Sequence, residues 1–388
     1  MSAKKTKPPG SHGLPPANAH PAREPAGAPS DPATLLKSLP LGTRDYLRVL
    51  GAILRLHNHQ HSAKHKGVSF KTMLDRQRFL ASFFTELRKQ TRYHDIDPRQ
   101  LANRHIEAII KRWLERGLST ATIHNYLSFL RTFAGWINKP GMVREVEYYV
   151  GTDSPHAKRQ LVATHDHSWP AQSVDFEAAL PAIAEFDQLI GIQLELCYRF
   201  GMRPKEARHF RPHMAIVPRE QANPRDAEAF PEHDTFVRIK FGTKGGRPRD
   251  VPVVNDAQRE LLARATTAVA LGAYVGRPGY TAEQNRRRFY YVLERFGITK
   301  AQLGVVAHGL RHEHANDAYQ ADTGVPSPVR GGLVPPPDDA EARQRTARLL
   351  GHNRARVTSC YLGKSVVMRT KAPGDLASGE EAATEGTV

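Results

Sequence analysis

The 388-residue sequence contains only two cysteines, Cys197 and Cys360. Two thiols cannot form the disulfide framework of a small secreted domain, and so few cysteines suit a reducing cytosol. Long apolar runs are missing as well, because no stretch approaches the roughly 18 apolar residues of a membrane-spanning helix. The first residues, Met1 to Lys5, lack the apolar segment of a secretory signal. We therefore expect a soluble, cytoplasmic protein with no membrane partner.

Acidic residues are in the minority. The chain has 56 Lys and Arg against 39 Asp and Glu, which gives a formal net charge of +17 and an isoelectric point near 10.0. This excess favours a polyanionic partner, because each neutralised phosphate releases condensed counterions. A charge that serves only solubility is the alternative, and composition alone does not separate the two.

Metal-binding patterns are scarce too. No cluster of carboxylates with a plausible geometry for magnesium is visible in the sequence. Four histidines lie close together between His57 and His65, but no cysteine accompanies them and their spacing is typical of a flexible segment rather than a zinc site. We expect neither a metal nor a cofactor.

Both ends of the chain have few large apolar side chains. Residues 1–40 are rich in Pro, Ala, Gly and His, and residues 366–388 are acidic and rich in small residues. Such segments cannot bury enough apolar surface to offset the entropy lost on ordering. The sequence therefore predicts two disordered tails.

Residues 41–145 have the apolar periodicity of helices. Apolar side chains recur at helical spacing from Phe70 to Trp136, Gly117 fits a helix stop, and Ser119 or Thr120 can cap the helix that follows. With a further helix predicted around residues 43–56, this region reads as a small all-helical domain. Its excess of basic side chains favours a DNA-facing surface. These side chains are Arg76, Arg78, Lys89, Arg92, Arg99, Arg104, Lys111, Arg112, Arg116 and Arg131.

Residues 146–175 are interpreted as a linker, and residues 176–365 as a second domain. Helical patterning runs from Phe176 to Tyr198, and residues 235–241 alternate as a strand that can pair with residues 249–253. The loop between the two strands places Lys244 at an exposed tip. The remainder is mostly helical, with a Pro/Gly-rich insertion at 326–337. The predicted fold class is therefore mainly α with a small β-hairpin or sheet.

Six side chains along the second domain have the chemistry of phosphoryl transfer. Arg203 offers a planar fork of donors matched to two phosphate oxygens, and Glu206, three residues on, could hold that fork in place. A surface ion pair is the ordinary alternative for these two residues. Lys244 could act as a general acid that protonates a departing 5′-oxygen.

The remaining candidates lie nearer the C-terminus. His308 and Arg311 are three residues apart on one helical face, so both could donate to the nonbridging oxygens of one phosphate. His352 follows a Leu-Gly turn that could present its ring at a cleft. Tyr361 has a phenol whose ordinary pKa is near 10, so neighbouring positive charge is needed to make it a useful nucleophile.

Taken in order, these residues resemble the signature of the tyrosine recombinase (phage integrase) family, which is Arg, Lys, His-x-x-Arg, His or Trp, and Tyr. The nine-residue step from His352 to Tyr361 matches the usual spacing of that family. The resemblance covers residues 176–365, and the helical region before it resembles the core-binding domain of the family. It implies a catalytic set with two supporting residues, Glu206 and His312. The catalytic set is Arg203, Lys244, His308, Arg311, His352 and Tyr361.

The resemblance implies a site-specific DNA recombinase that works through a 3′-phosphotyrosine. Its substrate would be the double-stranded DNA of attachment sites, held in a C-shaped clamp. Four protomers, monomeric when free, would exchange strands through a Holliday junction to integrate or excise a mobile element. An accessory DNA-bending or excision factor could assist in the bacterial cytoplasm, where the bound enzyme would associate with the nucleoid.

Two features depart from the commonest family pattern. Gly309 stands where many members have Asp, and the insertion at 326–337 lengthens the step from Arg311 to His352. Both resemble integrases of genomic islands and conjugative elements. Three other functions are alternatives to integration for a chain with these residues. They are a type IB topoisomerase, a recombinase that resolves replicon dimers, and a DNA-binding regulator that has lost catalysis.

DNA binding by this chain should depend steeply on salt. A duplex contacted by both basic domains would have on the order of six to ten phosphates neutralised, so log K should fall steeply and linearly with log salt concentration. Titrating a labelled duplex at several salt concentrations between about 50 and 200 mM measures the slope. A nearly flat slope would mean that the positive charge is not the DNA-binding surface.

Overall fold

A computed structural model describes residues 31–42, 44–60 and 67–365. The chain divides into two compact units, with the boundary between Arg159 and Gln160. The predicted acidic tail and residues 1–30 of the predicted N-terminal tail lie outside the described residues. Among the described residues, no helix combines the length and the apolar character needed to cross a membrane.

The first unit is all-helical in its described part. One core of buried side chains holds its helices together, including Leu80, Phe84, Ile109, Leu127 and Phe133, each 0% exposed. The helices are α1 (Pro32–Ser38), α2 (Tyr46–His57), α3 (Phe70–Gln90), α4 (Asn103–Glu115), α5 (Thr120–Trp136) and α6 (Val146–Val150).

Local signals in the sequence account for several helix ends in this unit. The Ser119 side chain accepts a hydrogen bond from the Thr122 amide and so caps α5. Gly117 adopts φ +67°, the left-handed conformation that ends a helix and that glycine adopts at no steric cost. The predicted stop at Gly117 and the predicted cap at Ser119 are both present.

The N-terminal tail was predicted to extend to residue 40, but α1 begins at Pro32. Asp31 caps this helix by accepting from the Thr34 amide at 2.8 Å. Leu35 is 1% exposed, and Leu36 and Leu39 pack against the core of the first unit. Three leucines within five residues therefore anchor a segment whose overall composition suggested disorder.

Part of the basic set assigned to a DNA-facing surface has structural partners instead. Arg76 is 5% exposed, donates to the Gln60 carbonyl and lies 5.6 Å from the centre of the Trp136 ring. Arg99 donates to three backbone carbonyls near the end of α1, and Arg112 and Arg116 both pair with Glu86. Apart from Arg116, the exposed members are Arg78, Lys89, Arg92, Arg104 and Lys111.

The second unit surrounds a three-stranded antiparallel sheet with helices, which confirms the predicted fold class. The strands are β1 (Ile216–Pro218), β2 (Thr235–Ile239) and β3 (Arg249–Pro252), in that order across the sheet. The helices are α7 (Phe176–Phe186), α8 (Gln188–Arg199), α9 (Pro204–Arg208), α10 (Pro224–Ala229), α11 (Asp256–Thr267), α12 (Ala282–Arg295), α13 (His308–Thr323), α14 (Pro336–Leu349) and α15 (Ser359–Leu362).

The predicted pairing of β2 with β3 is present, with Val237 opposite Val251 and Ile239 opposite Arg249. Successive residues of β2, Phe236 and Val237, are both 0% exposed. Because neighbouring side chains of a strand point to opposite faces, the sheet is covered on both sides. Strand β1 was not predicted, since three residues are too few to show an alternation.

The helical stretch from Phe176 to Tyr198 is two helices rather than one. Asp187 interrupts it in an extended conformation (φ −155°, ψ 96°) and caps α8 by accepting from the Ile190 amide. The same carboxylate accepts from Arg277 and Arg288. A residue that satisfies a helix start and two guanidinium groups explains the break.

Parts of the stretch interpreted as a linker pack into the two cores. Val146 and Val150 of α6 contact the core of the first unit. Trp169, 0% exposed, belongs to the core of the second, where its indole donates to the Val306 carbonyl at 3.0 Å. A Cβ at Gly309 would lie 2.8 Å from both the Trp169 ring and the His167 carbonyl, so the close approach of this segment to α13 requires glycine.

Candidate active site

The first candidate, Arg203, is placed by a tight turn between α8 and α9. Gly201 adopts φ +57°, and Arg203 is the residue before Pro204, which begins α9. Glu206 in the first turn of α9 accepts from the Arg203 amide at 2.8 Å and from its guanidinium at 2.7 Å. The pairing expected from the sequence is present, but the carboxylate is fully buried rather than on the surface.

Glu206 is the centre of a cluster of three arginines. Its second oxygen accepts from Arg249 of β3 at 2.9 Å and lies 3.9 Å from the Arg311 guanidinium. Burial alone would raise the pKa of Glu206, but Arg249, Arg311 and Arg203 outweigh it and lower the pKa to about 2. The carboxyl is therefore ionised at neutral pH, as a group that balances buried cations must be.

Arg311 joins the three chain segments of the site. Its guanidinium, 0% exposed, donates to the Gly201 carbonyl, to the Leu350 carbonyl at 2.6 Å and to the Tyr361 hydroxyl at 3.1 Å. Burial lowers the pKa of Arg311 to about 10, so it stays charged at neutral pH. The side chain thus fixes the turn before Arg203 and the end of α14 while it holds the tyrosine oxygen.

His352 lies just beyond the end of α14, where its amide bonds to the Ala347 carbonyl. Its Nε2 is 3.3 Å from Arg203 and 3.5 Å from Arg311, and its ring stacks on Tyr361 with centres 5.7 Å apart. The imidazole therefore bridges both arginines and the tyrosine.

Two further histidines of α13 surround the tyrosine ring. The ring centre of His312 lies 4.6 Å from that of Tyr361, and the ring centre of His308 lies 6.2 Å away. Burial, followed by neighbouring cationic and histidine side chains, lowers the pKa to about 4 for His308 and to about 3 for His312 and His352. All three imidazoles are neutral at pH 7, so each can accept a proton as well as donate a hydrogen bond.

Chemically, this arrangement is an anion site with a hydroxyl at its edge. Arg311 donates to the Tyr361 oxygen, three imidazoles lie around the Tyr361 ring, and Arg203 contacts one of them, His352. Fixed donors in a buried site stabilise negative charge far better than water-exposed ones. The described residues contain no group of three His, Cys, Asp or Glu side chains arranged to hold a metal ion.

Comparison with known families agrees with this geometry. Residues 55–140 match the model described as "Phage integrase, N-terminal", and residues 167–317 match the model described as "Integrase". The two matches lie in order and together span more than half of the chain. The chain belongs to the phage integrase family of tyrosine recombinases.

Several solved structures are similar to this recombinase at low identity. The lambda integrase fragment 75–356, as a dimer bound to a COC′ core site, is 14% identical with a TM-score of 0.50, covering 88% of this chain and 99% of its own. A second lambda integrase dimer on a COC′ core site is 14% identical with a TM-score of 0.49, covering 87% of this chain and 80% of its own. The Tn1549 transposon integrase in complex with transposon right end DNA is 13% identical with a TM-score of 0.47, covering 80% of this chain and 94% of its own. No curated protein matched by sequence.

Lys244 is the one candidate of the recombinase that the contact network does not include. It lies in a short 3₁₀ turn, Lys244–Gly246, between β2 and β3 and is exposed. Among the described residues, no hydrogen bond or ion pair holds its ammonium group. Its charge does act near the site. Burial raises the pKa of the Cys360 thiol beside Tyr361, and Lys244 is one of the cations that partly oppose this rise.

Arg249 is a residue of the site that the sequence did not reveal. It is 3% exposed, bonds to Glu206 and donates to the Leu349 carbonyl at 2.9 Å, so it connects β3 to the end of α14. A Cβ at Gly351 would lie 2.8 Å from its side chain. The only local signal was the strand itself, which puts Arg249 on the same face as the buried Val251 but does not show that Glu206 is its partner.

Replacing Glu206 by glutamine should destabilise the recombinase in a pH-dependent way. Three guanidinium groups would lose their counter-charge, and removing one partner of a buried ion pair costs about 3–5 kcal/mol. The folded pKa of Glu206, about 2, is below its ordinary 4.5. The wild-type advantage should therefore be complete above pH 4.5 and should shrink as pH falls toward 2.

Urea unfolding of wild type and Glu206→Gln at pH 7 and pH 3 measures this difference. Glu177→Gln is the matched control, because Glu177 pairs with Arg199 but is 53% exposed, and an exposed pair contributes about 1 kcal/mol or less. A difference between wild type and Glu206→Gln that is the same at both pH values would contradict the assignment.

Proposed function

We propose that Tyr361 is the nucleophile of this site-specific recombinase and that the enzyme uses it to integrate or excise a mobile element. The observation that carries the proposal is the Tyr361 hydroxyl lying 3.1 Å from the buried Arg311 guanidinium, in a corner shared with Arg203 and His352. A phenol in that position can approach a phosphate held by the same cations.

We assign each residue the role that its position supports. The Tyr361 oxygen forms a bond to phosphorus, the bond from phosphorus to the 5′-oxygen breaks, and the DNA strand stays attached to the protein as a 3′-phosphotyrosine. Arg203 and Arg311 stabilise charge on the nonbridging oxygens. A neutral imidazole, that of His308 or His352, accepts the proton that the Tyr361 hydroxyl loses. Lys244 gives the departing 5′-oxygen its proton.

Supporting residues act through these groups. Glu206 holds Arg203 at 2.7 Å and keeps the arginine cluster from repelling itself. His312 packs against the Tyr361 ring and so limits its orientation. Residues 41–145 would serve as the core-binding domain, with residues 176–365 as the catalytic domain.

The partner is double-stranded DNA that contains a specific site. Exchange between two duplexes breaks four strands in all, and each chain supplies one Tyr361, so we propose that four protomers assemble on the DNA. The protein would be a monomer when free and would act in the bacterial cytoplasm, with an accessory DNA-bending or excision factor setting direction. The insertion at 326–337 favours an origin in a genomic island or conjugative element.

Tyr361→Phe should abolish a covalent protein–DNA adduct while leaving DNA binding unchanged, because only one hydroxyl is lost. Nicked attachment-site DNA traps the wild-type adduct, which survives denaturation and is read on a gel. Cys360→Ser is the control for the neighbouring nucleophile, and its adduct should persist because burial raises the pKa of that thiol and keeps it protonated. A normal adduct from Tyr361→Phe would refute the assignment.

Lys244→Ala should slow cleavage of ordinary DNA by a factor on the order of 10². Replacing the bridging 5′-oxygen by sulfur should restore a rate near that of wild type, because a thiolate, with a conjugate acid of pKa near 8.5, leaves without a proton. Single-turnover cleavage of both substrates measures the effect.

Arg203→Ala provides the contrast to Lys244→Ala. It should stay slow on both substrates, because its role is charge stabilisation on the nonbridging oxygens. If sulfur fails to rescue Lys244→Ala, Lys244 acts in binding or the proton comes from another group. The exposed Lys240 is the first such group to test.

A further inference from the structure

Tyr361, the proposed nucleophile, lies on a helix that is too short to be stable by itself. Helix α15 has four residues, Ser359–Leu362, and isolated helices shorter than about 12 residues are marginal in water. Its position therefore depends on tertiary contacts.

One arginine donates hydrogen bonds at both ends of this helix. Arg343 of α14 donates through Nη1 to the Ser359 hydroxyl at 3.3 Å and to the Gly363 carbonyl at 3.2 Å. These two residues lie two positions before and two positions after Tyr361. Arg343 is 5% exposed, so the contacts are shielded from competing water.

The arginine is itself fixed by a carboxylate. The Arg343 Nε donates to both oxygens of Asp339 at 2.8 and 2.9 Å. Asp339, 4% exposed, also accepts from the Tyr319 hydroxyl of α13 at 2.6 Å and from the Ser365 hydroxyl. We name Tyr319, Asp339 and Arg343 the clasp. It connects the nucleophile helix to α13, the helix that carries His308 and Arg311.

The Pro/Gly-rich insertion covers the clasp from outside. Gly363 adopts φ +81°, and a Cβ there would lie 2.9 Å from the Val329 amide nitrogen. Val334 packs in a small buried cluster with Tyr319, Tyr361 and Leu362. Arg330 ties the insertion down through Asp166 at 2.8 Å and Asp317 at 2.7 Å.

We propose that Asp339 and Arg343, with the 326–337 insertion packed over them, are positioning residues that hold Tyr361 in the active site of its own chain before DNA binds. The inference rests on the proposed role of Tyr361 as nucleophile. None of the clasp residues touches the reacting atoms. The clasp therefore affects how often the Tyr361 hydroxyl lies in line with the phosphorus atom of the DNA. A misplacement of about 1 Å can cost on the order of 10² in rate.

Arg343→Met tests the proposal, because it keeps the length of the apolar stem and removes every donor. Single-turnover adduct formation at saturating DNA should fall at least about tenfold, while the DNA concentration that gives half-saturation stays unchanged. Trypsin should cut faster at the exposed Arg354, Arg356 and Lys364 that flank α15. Arg343→Lys can keep the ion pair with Asp339 but cannot reach both Ser359 and Gly363. Its rate of adduct formation should lie between those of wild type and Arg343→Met.

Arg345→Met is the matched control. Arg345 lies two residues further along α14 and bonds to Ala229, Glu232 and Asp322, so the variant loses a comparable network away from Tyr361. It should leave the cleavage rate and the proteolysis at α15 unchanged. Ser365→Ala, which removes only one bond to Asp339, is the second variant, should Arg343→Met fail to fold. It should slow cleavage in the same direction by a smaller factor, about twofold to fivefold.

Three outcomes would overturn the proposal. They are an Arg343→Met rate within twofold of wild type, an equal fall for Arg345→Met, and, where Arg343→Met does not fold, a Ser365→Ala rate equal to wild type. Failure of the proposed function is distinct from all three, because it would appear as a wild-type protein without a Tyr361-dependent adduct.

Discussion

The candidate active site depends on one buried carboxylate. Glu206 contacts Arg203 and Arg249 directly and lies 3.9 Å from Arg311. Three guanidinium groups so close together would repel one another and would be costly to remove from water. One negative charge balances one of them, which leaves an excess of about two positive charges in the cluster. The carboxylate thus permits the fold and also leaves the unbalanced charge on which the proposed chemistry depends.

Much of the site could be predicted from the sequence, because its chemistry depends on residue types in a fixed order. Arg203, His308, Arg311, His352 and Tyr361 lie in one contact network, and Glu206 and His312 pack against them. Their individual roles remain proposals. Lys244 could be placed at a loop tip from the turn residues around it, and its exposure follows from that position. Helix ends at Gly117 and Ser119 were predictable for the same reason, since caps are local.

The rest was not predictable because it depends on contacts between distant segments. No local pattern shows that Arg76 is buried against Trp136, or that Asp187 breaks a helix in order to bind Arg277 and Arg288. Strand β1 exists only because β2 offers it a partner. Asp339 and Arg343 were visible as a pair four residues apart on a predicted helix. Such pairs usually lie on solvated faces, and only the structure shows what this one holds.

The contact of Gly309 with Trp169 has a consequence for how this sequence can change. A Cβ at position 309 would meet the Trp169 indole and the His167 carbonyl, each at 2.8 Å. The indole is fully buried and bonded to Val306, so it cannot move aside. A smaller residue at 169 would not by itself make room, because the His167 backbone carbonyl lies equally close. A side chain at 309 should therefore be tolerated only where the whole segment from His167 to Trp169 lies farther from α13.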